Sequence, residues 1–221
     1  MVDIFDEVTE ELHHDRAVAL ARRYGGYLLA ACVLVLVGVG AQQVWQSRQA
    51  ARANQAAAQY LALTQDVDQQ NAGISADQAS TAAKGLADFA ATAPEGYKVL
   101  AELRAAGLYA QAGQADQAVA LWNQVSADGQ ADQGLRDIAT LLWAESQAGQ
   151  APDDVVLGRI LPLTGQDNPY HALAREVQAL VYLHQGKPDL AKALLQQLSA
   201  DPTAPDGVRN RAQGLLASLN G

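Results

Sequence analysis

Residues 25–44 contain no charged side chain, and their middle reads LLAACVLVLVGVGA. As a helix, about twenty residues rise about 30 Å, the thickness of a bilayer's hydrocarbon core. Tyr24 and Tyr27 stand at one end of the run and Trp45 at the other, where membrane interfaces favour amphipathic rings. Arg22 and Arg23 flank the first end, Arg48 and Arg52 the second. The pattern predicts a transmembrane helix over 25–45 with Arg22, Arg23, Tyr24, Tyr27 and Trp45 as its interface residues. Three rival readings fit less well. A cleaved signal peptide, cut near Val39-Gly40-Ala41, has an apolar core of about 7–15 residues after a basic start; here the core is longer and the start is acidic. Leu29-Ala30-Ala31-Cys32 spells a lipobox, but the apolar run continues well past Cys32, which reads as a small hydrophobe in lipid. A helix apolar all round within a soluble domain needs a large protein to surround it. Arg16, Arg22 and Arg23 before the run outnumber Arg48 and Arg52 after it, which predicts a cytoplasmic N-terminus.

Charge and composition narrow what the rest can be. With 15 Lys+Arg against 24 Asp+Glu the net charge is −9, without a basic block. Such a chain lacks the phosphate-neutralising surface of a nucleic-acid binder. A single Cys allows neither an internal disulfide nor a cysteine zinc cluster. Hydrophobic residues make up 49% but aromatics only 5%, so the apolar side chains are mostly Ala, Leu and Val. That mixture suits close-packed helices. The first 24 residues hold six acids and three Arg, with Ile4, Phe5, Val8 and Leu12 at helical spacing. They read as a short acidic amphipathic segment that docks on a partner or rests at the membrane surface.

After the apolar run, 41–71 contains neither Gly nor Pro, which predicts one helix continuing to about Gln69 or Gln70. Residues 71–75 form a turn, with Ser75 or Asp77 available as helix cap. Helices follow over 76–93, 98–112, 115–126, 135–148, 153–163, 170–185, 188–199 and 206–219, each ended by Gly or Pro. No window alternates apolar and polar with period two, so the fold class is all-α. The helices recur in pairs. A tetratricopeptide repeat of about 34 residues places a small residue, an aromatic, a turn glycine, a second small residue and a large apolar one in order. Ala106, Tyr109, Gly113, Ala118 and Trp122 fill those places, and Ala179, Tyr182, Gly186, Ala191 and Leu195 fill them again. Leu142 and Gly149 between them keep the period without the full pattern. Small residues let paired helices touch, glycine closes the turn in a left-handed conformation, and the large residue fills the groove to the next repeat. The rival is an Ala-rich helical bundle with coincidental spacing. The organisation predicted is an acidic segment over 1–24, a transmembrane helix over 25–45 and a tetratricopeptide-like repeat domain, an α-solenoid, over 46–221.

No arrangement of residues points to catalysis, a cofactor or a metal. His13 and His14 are adjacent, so on a helix they diverge by about 100° and chelate poorly. His184 ends a helix and Asp153-Asp154 begins one, where their charges suit the helix dipole. His171 opens the helix that His184 closes. Motifs for zinc hydrolases, phosphate loops and nucleophile elbows are missing from the sequence. The chain reads as a non-enzyme.

The run DIFDEVTEEL, Asp15-Arg16, RRYGGYLLA with the apolar span, a Gln/Ala-rich helix and degenerate repeats together resemble a known family. It is that of the single-pass tetratricopeptide-like ancillary subunits of the bacterial Sec translocon (SecYEG), the YfgM-like family, in its alphaproteobacterial branch. The resemblance implies an inner-membrane protein with a short cytoplasmic N-terminus and a periplasmic repeat domain. It implies protein partners: the Sec translocon, a membrane-anchored periplasmic chaperone and exported clients. It carries no catalytic motif. A different class stays open, a periplasmic scaffold for envelope assembly or cell division, released by cleavage or lipid-anchored at Cys32. The mature mass separates the two.

Overall fold

The computed structural model describes the backbone over Ile4–Gln69 and 73–220, and side chains from Leu34 onward apart from Asp66, Gln69 and Asn220. The described residues form nine α-helices and a 3-10 turn, with no strand. The chain divides into two compact units, Met1–Gln55 and Ala56–Gly221.

The first unit is helix α1 (Ile4–Gln69) as far as Gln55. Its apolar side chains from Leu34 to Trp45 are exposed, Leu34 at 71% and Trp45 at 62%. No helix among the described residues is long and apolar enough to cross a membrane. Residues 25–33, the first part of the uncharged run, lie outside those whose side chains are described, as do Arg22, Arg23, Tyr24, Tyr27, the histidine pair and Cys32.

The second unit takes the last turns of α1 and then α2 (Ala76–Ala90), α3 (Glu95–Gln111), α4 (Ala115–Ala127), α5 (Gln133–Gln147), α6 (Asp153–Ile160), α7 (His171–His184), α8 (Pro188–Ala200) and α9 (Asp206–Asn220). From α2 onward each helix packs on the next, and α7 also touches α5 and α9. That is the contact pattern of stacked hairpins, in which each unit buries its apolar face on its neighbours. Tyr60, Leu63 and Val67 of α1 form one stripe and pack on Ala79, Ala83, Leu86 and Ala105 of α2 and α3. A middle cluster gathers Ala106, Ala118, Trp122, Leu141, Val156, Ile160 and Val177. A third gathers Ala179, Ala191, Leu195, Leu198 and Val208. Alanines supply much of this core, so the helices approach closely and the packing is set by small side chains.

Helix ends follow local chemistry. Ser75 caps α2 through a reciprocal box with Gln78, satisfying two otherwise orphaned N–H groups. The sequence reading ends α2 at 93, but the helix stops at Ala90, and the Thr92 and Ala93 N–H groups both turn back to the Phe89 carbonyl at 3.1 Å. Pro94 then caps α3, which starts at Glu95 and not at 98. The helix expected over 153–163 ends at Ile160 and continues as the 3-10 turn Leu161–Leu163, because Pro162 has no N–H for a helical bond.

The turns between paired helices fall into two kinds. Gly113 and Gly186 have φ of 76° and 68°. At both, the glycine N–H donates to the carbonyl two residues inside the helix end, and the next N–H reaches the tyrosine carbonyl, Gln114 to Tyr109 at 2.8 Å and Lys187 to Tyr182 at 2.9 Å. This double bond pattern closes a helix on a left-handed glycine. Gly149 shares the φ, at 79°, but Gln150 and Ala151 both donate to the Gln147 carbonyl, at 2.9 and 3.0 Å. The middle turn is therefore longer. Helices α4 and α8 start two residues after their glycine, whereas α6 starts four after. Counted from the helix start, Val156 and Ile160 take the places of Ala118 and Trp122, and of Ala191 and Leu195. Both are fully buried. The middle repeat lacks the full signature in sequence because its turn is two residues longer and because Leu142 and Glu145 stand where the others have alanine and tyrosine.

Candidate protein-docking surface

Helices α5, α7 and α9 leave a groove of about 450 Å³. Helix α7 supplies Leu173, Glu176, Val177 and Leu180 to it, spaced i, i+3, i+4, i+7 on one face. Helix α5 adds Leu141 and Glu145, and α9 adds Arg211, Gly214 and Leu215. The floor is aliphatic and the polar groups are few. Arg211 donates twice to Glu176, Nε to Oε1 and Nη2 to Oε2, both at 2.6 Å. This paired geometry is the strong form of the ion pair, and it ties α9 to α7 along the groove. The pairing raises the Arg211 pKa above its ordinary value, with Glu145 adding a smaller effect. A second recess, of about 510 Å³, lies where Val67 and Asp68 of α1 face Arg104 and Leu108 of α3.

Side-chain ties between hairpins recur at the repeat period. Ser80 donates to Gln114, Arg104 to Asp68, Arg159 to Asn123 and Arg211 to Glu176, over separations of 34, 36, 36 and 35 residues. Arg211 and Glu176 stand at the same place in α9 and α7, five residues after each helix start. Arg159 also lies over the Trp143 ring at 3.8 Å from its centroid, a cation–π contact worth about 0.5–1 kcal/mol where exposed. His184 Nδ1 stands 3.0 Å from Asp153 Oδ1, so these two helix ends, each explained separately by the helix dipole, meet. His171 bonds the Asn168 carbonyl at 2.9 Å. No group of three His, Cys, Asp or Glu among the described residues is placed to hold a metal ion.

The structure places the repeat residues as follows. Ala106, Ala118 and Trp122 are buried in one cluster with Tyr109 packed against it. Ala179, Ala191 and Leu195 are buried in another with Tyr182 packed against it. Gly113 and Gly186 are exposed at the turns. None of the ten lines the groove. The groove residues escaped the sequence reading because only signature positions were compared between repeats. Comparing charges at the same offset pairs Asp68 with Arg104 and Glu176 with Arg211 directly.

The tetratricopeptide repeat-like domain family matches residues 21–213. The chain belongs to that family. No curated protein and no solved structure matches the chain. The match takes in the uncharged run as well as the hairpins, so the tetratricopeptide repeat-like chain is one matched stretch from 21 to 213. Within it α3–α4, α5–α6 and α7–α8 are helix pairs, and α9 packs on α7 and α8. The exposed face of α9 carries Asn210, Gln213 and Ser218.

Proposed function

We propose that this chain is a non-enzymatic, membrane-anchored docking protein, an ancillary subunit of the bacterial Sec translocon. Residues 25–45 span the inner membrane, the N-terminus is cytoplasmic, and the periplasmic repeats link exported proteins to a chaperone. The observation that carries the docking role is the aliphatic groove between α5, α7 and α9, since stacked repeats form concave surfaces that take protein partners. Membership of the tetratricopeptide repeat-like family supports protein partners in general. The anchor is supported by the charge-free run and by the apolar side chains from Leu34 to Val44, which no other part of their unit covers; exposed apolar surface of this kind belongs in lipid or an interface. The resemblance of residues 3–12, 15–16 and 22–30, with the apolar span and the repeats, to the translocon subunits supports the particular partner. Protease added outside spheroplasts should digest the repeats and spare an N-terminal tag. A photo-crosslinker at Leu180, in the groove, should capture the translocon or exported chains, while one at exposed Gln196 on α8 should not. Protection of the repeats, or capture from both positions alike, contradicts the proposal. Intact mass decides against the released or lipidated scaffold if the full chain is found.

A further inference from the structure

The groove has a chemistry that narrows its occupant. Its floor is formed by Leu141, Leu173, Val177, Leu180 and Leu215. Its charges are two carboxylates and one guanidinium, and Glu176 is already committed to Arg211 by two 2.6 Å bonds. Glu145 is exposed and makes no ion pair among the described residues. It stands four residues before Gly149, the place that Tyr109 and Tyr182 hold before Gly113 and Gly186. Both tyrosines pack against hydrophobic clusters; the acid in their place faces the groove instead and adds no packing.

Covering the groove with a neutral or acidic segment would strip water from Glu145, which costs free energy, and Arg211, bonded to Glu176, interacts with Glu145 only as the lesser of its two carboxylates. A cation restores the lost interaction. Size sets the second limit. A groove of about 450 Å³ falls within the roughly 300–1,000 Å³ that takes a drug-sized ligand, so a few side chains of one segment fill it. Residues 46–221, with 18 acids and 12 bases, also steer a basic partner inward.

We propose that the groove holds a short aliphatic segment carrying one lysine or arginine, with the aliphatic side chains on the leucine floor and the cation on Glu145. This rests on the docking reading above and names the partner's chemistry.

The test uses the full chain in nanodiscs of zwitterionic lipid, so that lipid charge does not attract the probe, with empty nanodiscs subtracted. The probe is a fluorescein-labelled helical peptide with leucines at i, i+3, i+4 and i+7 and one lysine beyond the last. Its twin carries glutamate in place of that lysine. Anisotropy titration should show the lysine peptide binding roughly 3- to 10-fold tighter, the range that one exposed ion pair gained and one like-charge contact avoided can give. Glu145→Lys, a surface change, should reverse the order. Leu180→Asp should weaken both peptides by roughly tenfold or more, with the helical melting transition retained. Equal affinity for the twins, an unchanged order in Glu145→Lys, or no saturable binding overturns the proposal. The docking reading fails separately, if the Leu180 crosslinker captures no protein partner in cells.

Discussion

Ala191 has no exposed surface and sits among Leu195, Leu198 and Val208, so there is no room for a larger side chain where α8 meets its neighbours. Ala191→Leu should destabilise by about 1–3 kcal/mol through overpacking. Gln196→Leu, on the exposed side of the same helix, should stay within about 0.5 kcal/mol. Paired thermal melts check this, and equal melting points would contradict the packing. A second residue-scale expectation concerns acid. Lys98 donates to Asp128 at 2.8 Å and to Glu95 at 3.1 Å. The Lys98 bond is the main cause that holds the Asp128 carboxyl down at about 2, against an ordinary 3.8. Because the folded value is the lower one, the contribution is present above 3.8 and is lost as pH falls from there toward 2. Asp128→Asn should therefore flatten the fall in melting temperature over that window. A curve with unchanged slope would show that the pair contributes nothing. Glu102 is shifted the other way, upward by burial, with Oε2 buried and without a partner among the described residues.

At the scale of elements, glycine separates turn from helix. Gly186 closes α7 at φ 68°, and a side chain in that conformation costs about 1–2 kcal/mol, so Gly186→Ala should destabilise. Gly158 lies inside α6, and a Cβ there meets nothing within 4 Å. Gly158→Ala should stabilise by about 0.5–1 kcal/mol. Urea melts of the two variants should move in opposite directions, and a shift of the same sign in both would contradict the turn assignment. Much of this level was legible in the sequence. Breakers set the helix count, and the recurring glycines set the pairing, because backbone conformation at such residues is decided locally. The exact ends of α2 and α3 were less legible, since Pro94 acts on both helices at once. The middle repeat was hidden by its longer turn, which moves Val156 and Ile160 two residues from where the period places them, and by Leu142 and Glu145 in the alanine and tyrosine places before it. The groove was least legible. It is made by three helices separated in sequence, and neither Glu145 nor Leu180 belongs to a local motif.

For the whole molecule, stacking makes each hairpin depend on its neighbours, with ties such as Arg211 to Glu176 spanning one repeat. Stability is then close to a sum of repeat and interface contributions. The charge-free run has no charged side chain of the kind that moves ions or protons through a membrane, so under the proposed function its role is placement. On that proposal, holding the groove beside the translocon would raise its effective concentration there and let weak, short-segment contacts count. Recovery of the translocon on the tagged protein tests this most directly, comparing the full chain, residues 46–221 exported alone, and a chain whose residues 25–44 are exchanged for an unrelated apolar helix. The account predicts recovery by the full chain and the exchanged chain, and loss with 46–221 alone despite normal helicity. Equal recovery by the full chain and by 46–221 alone would contradict it.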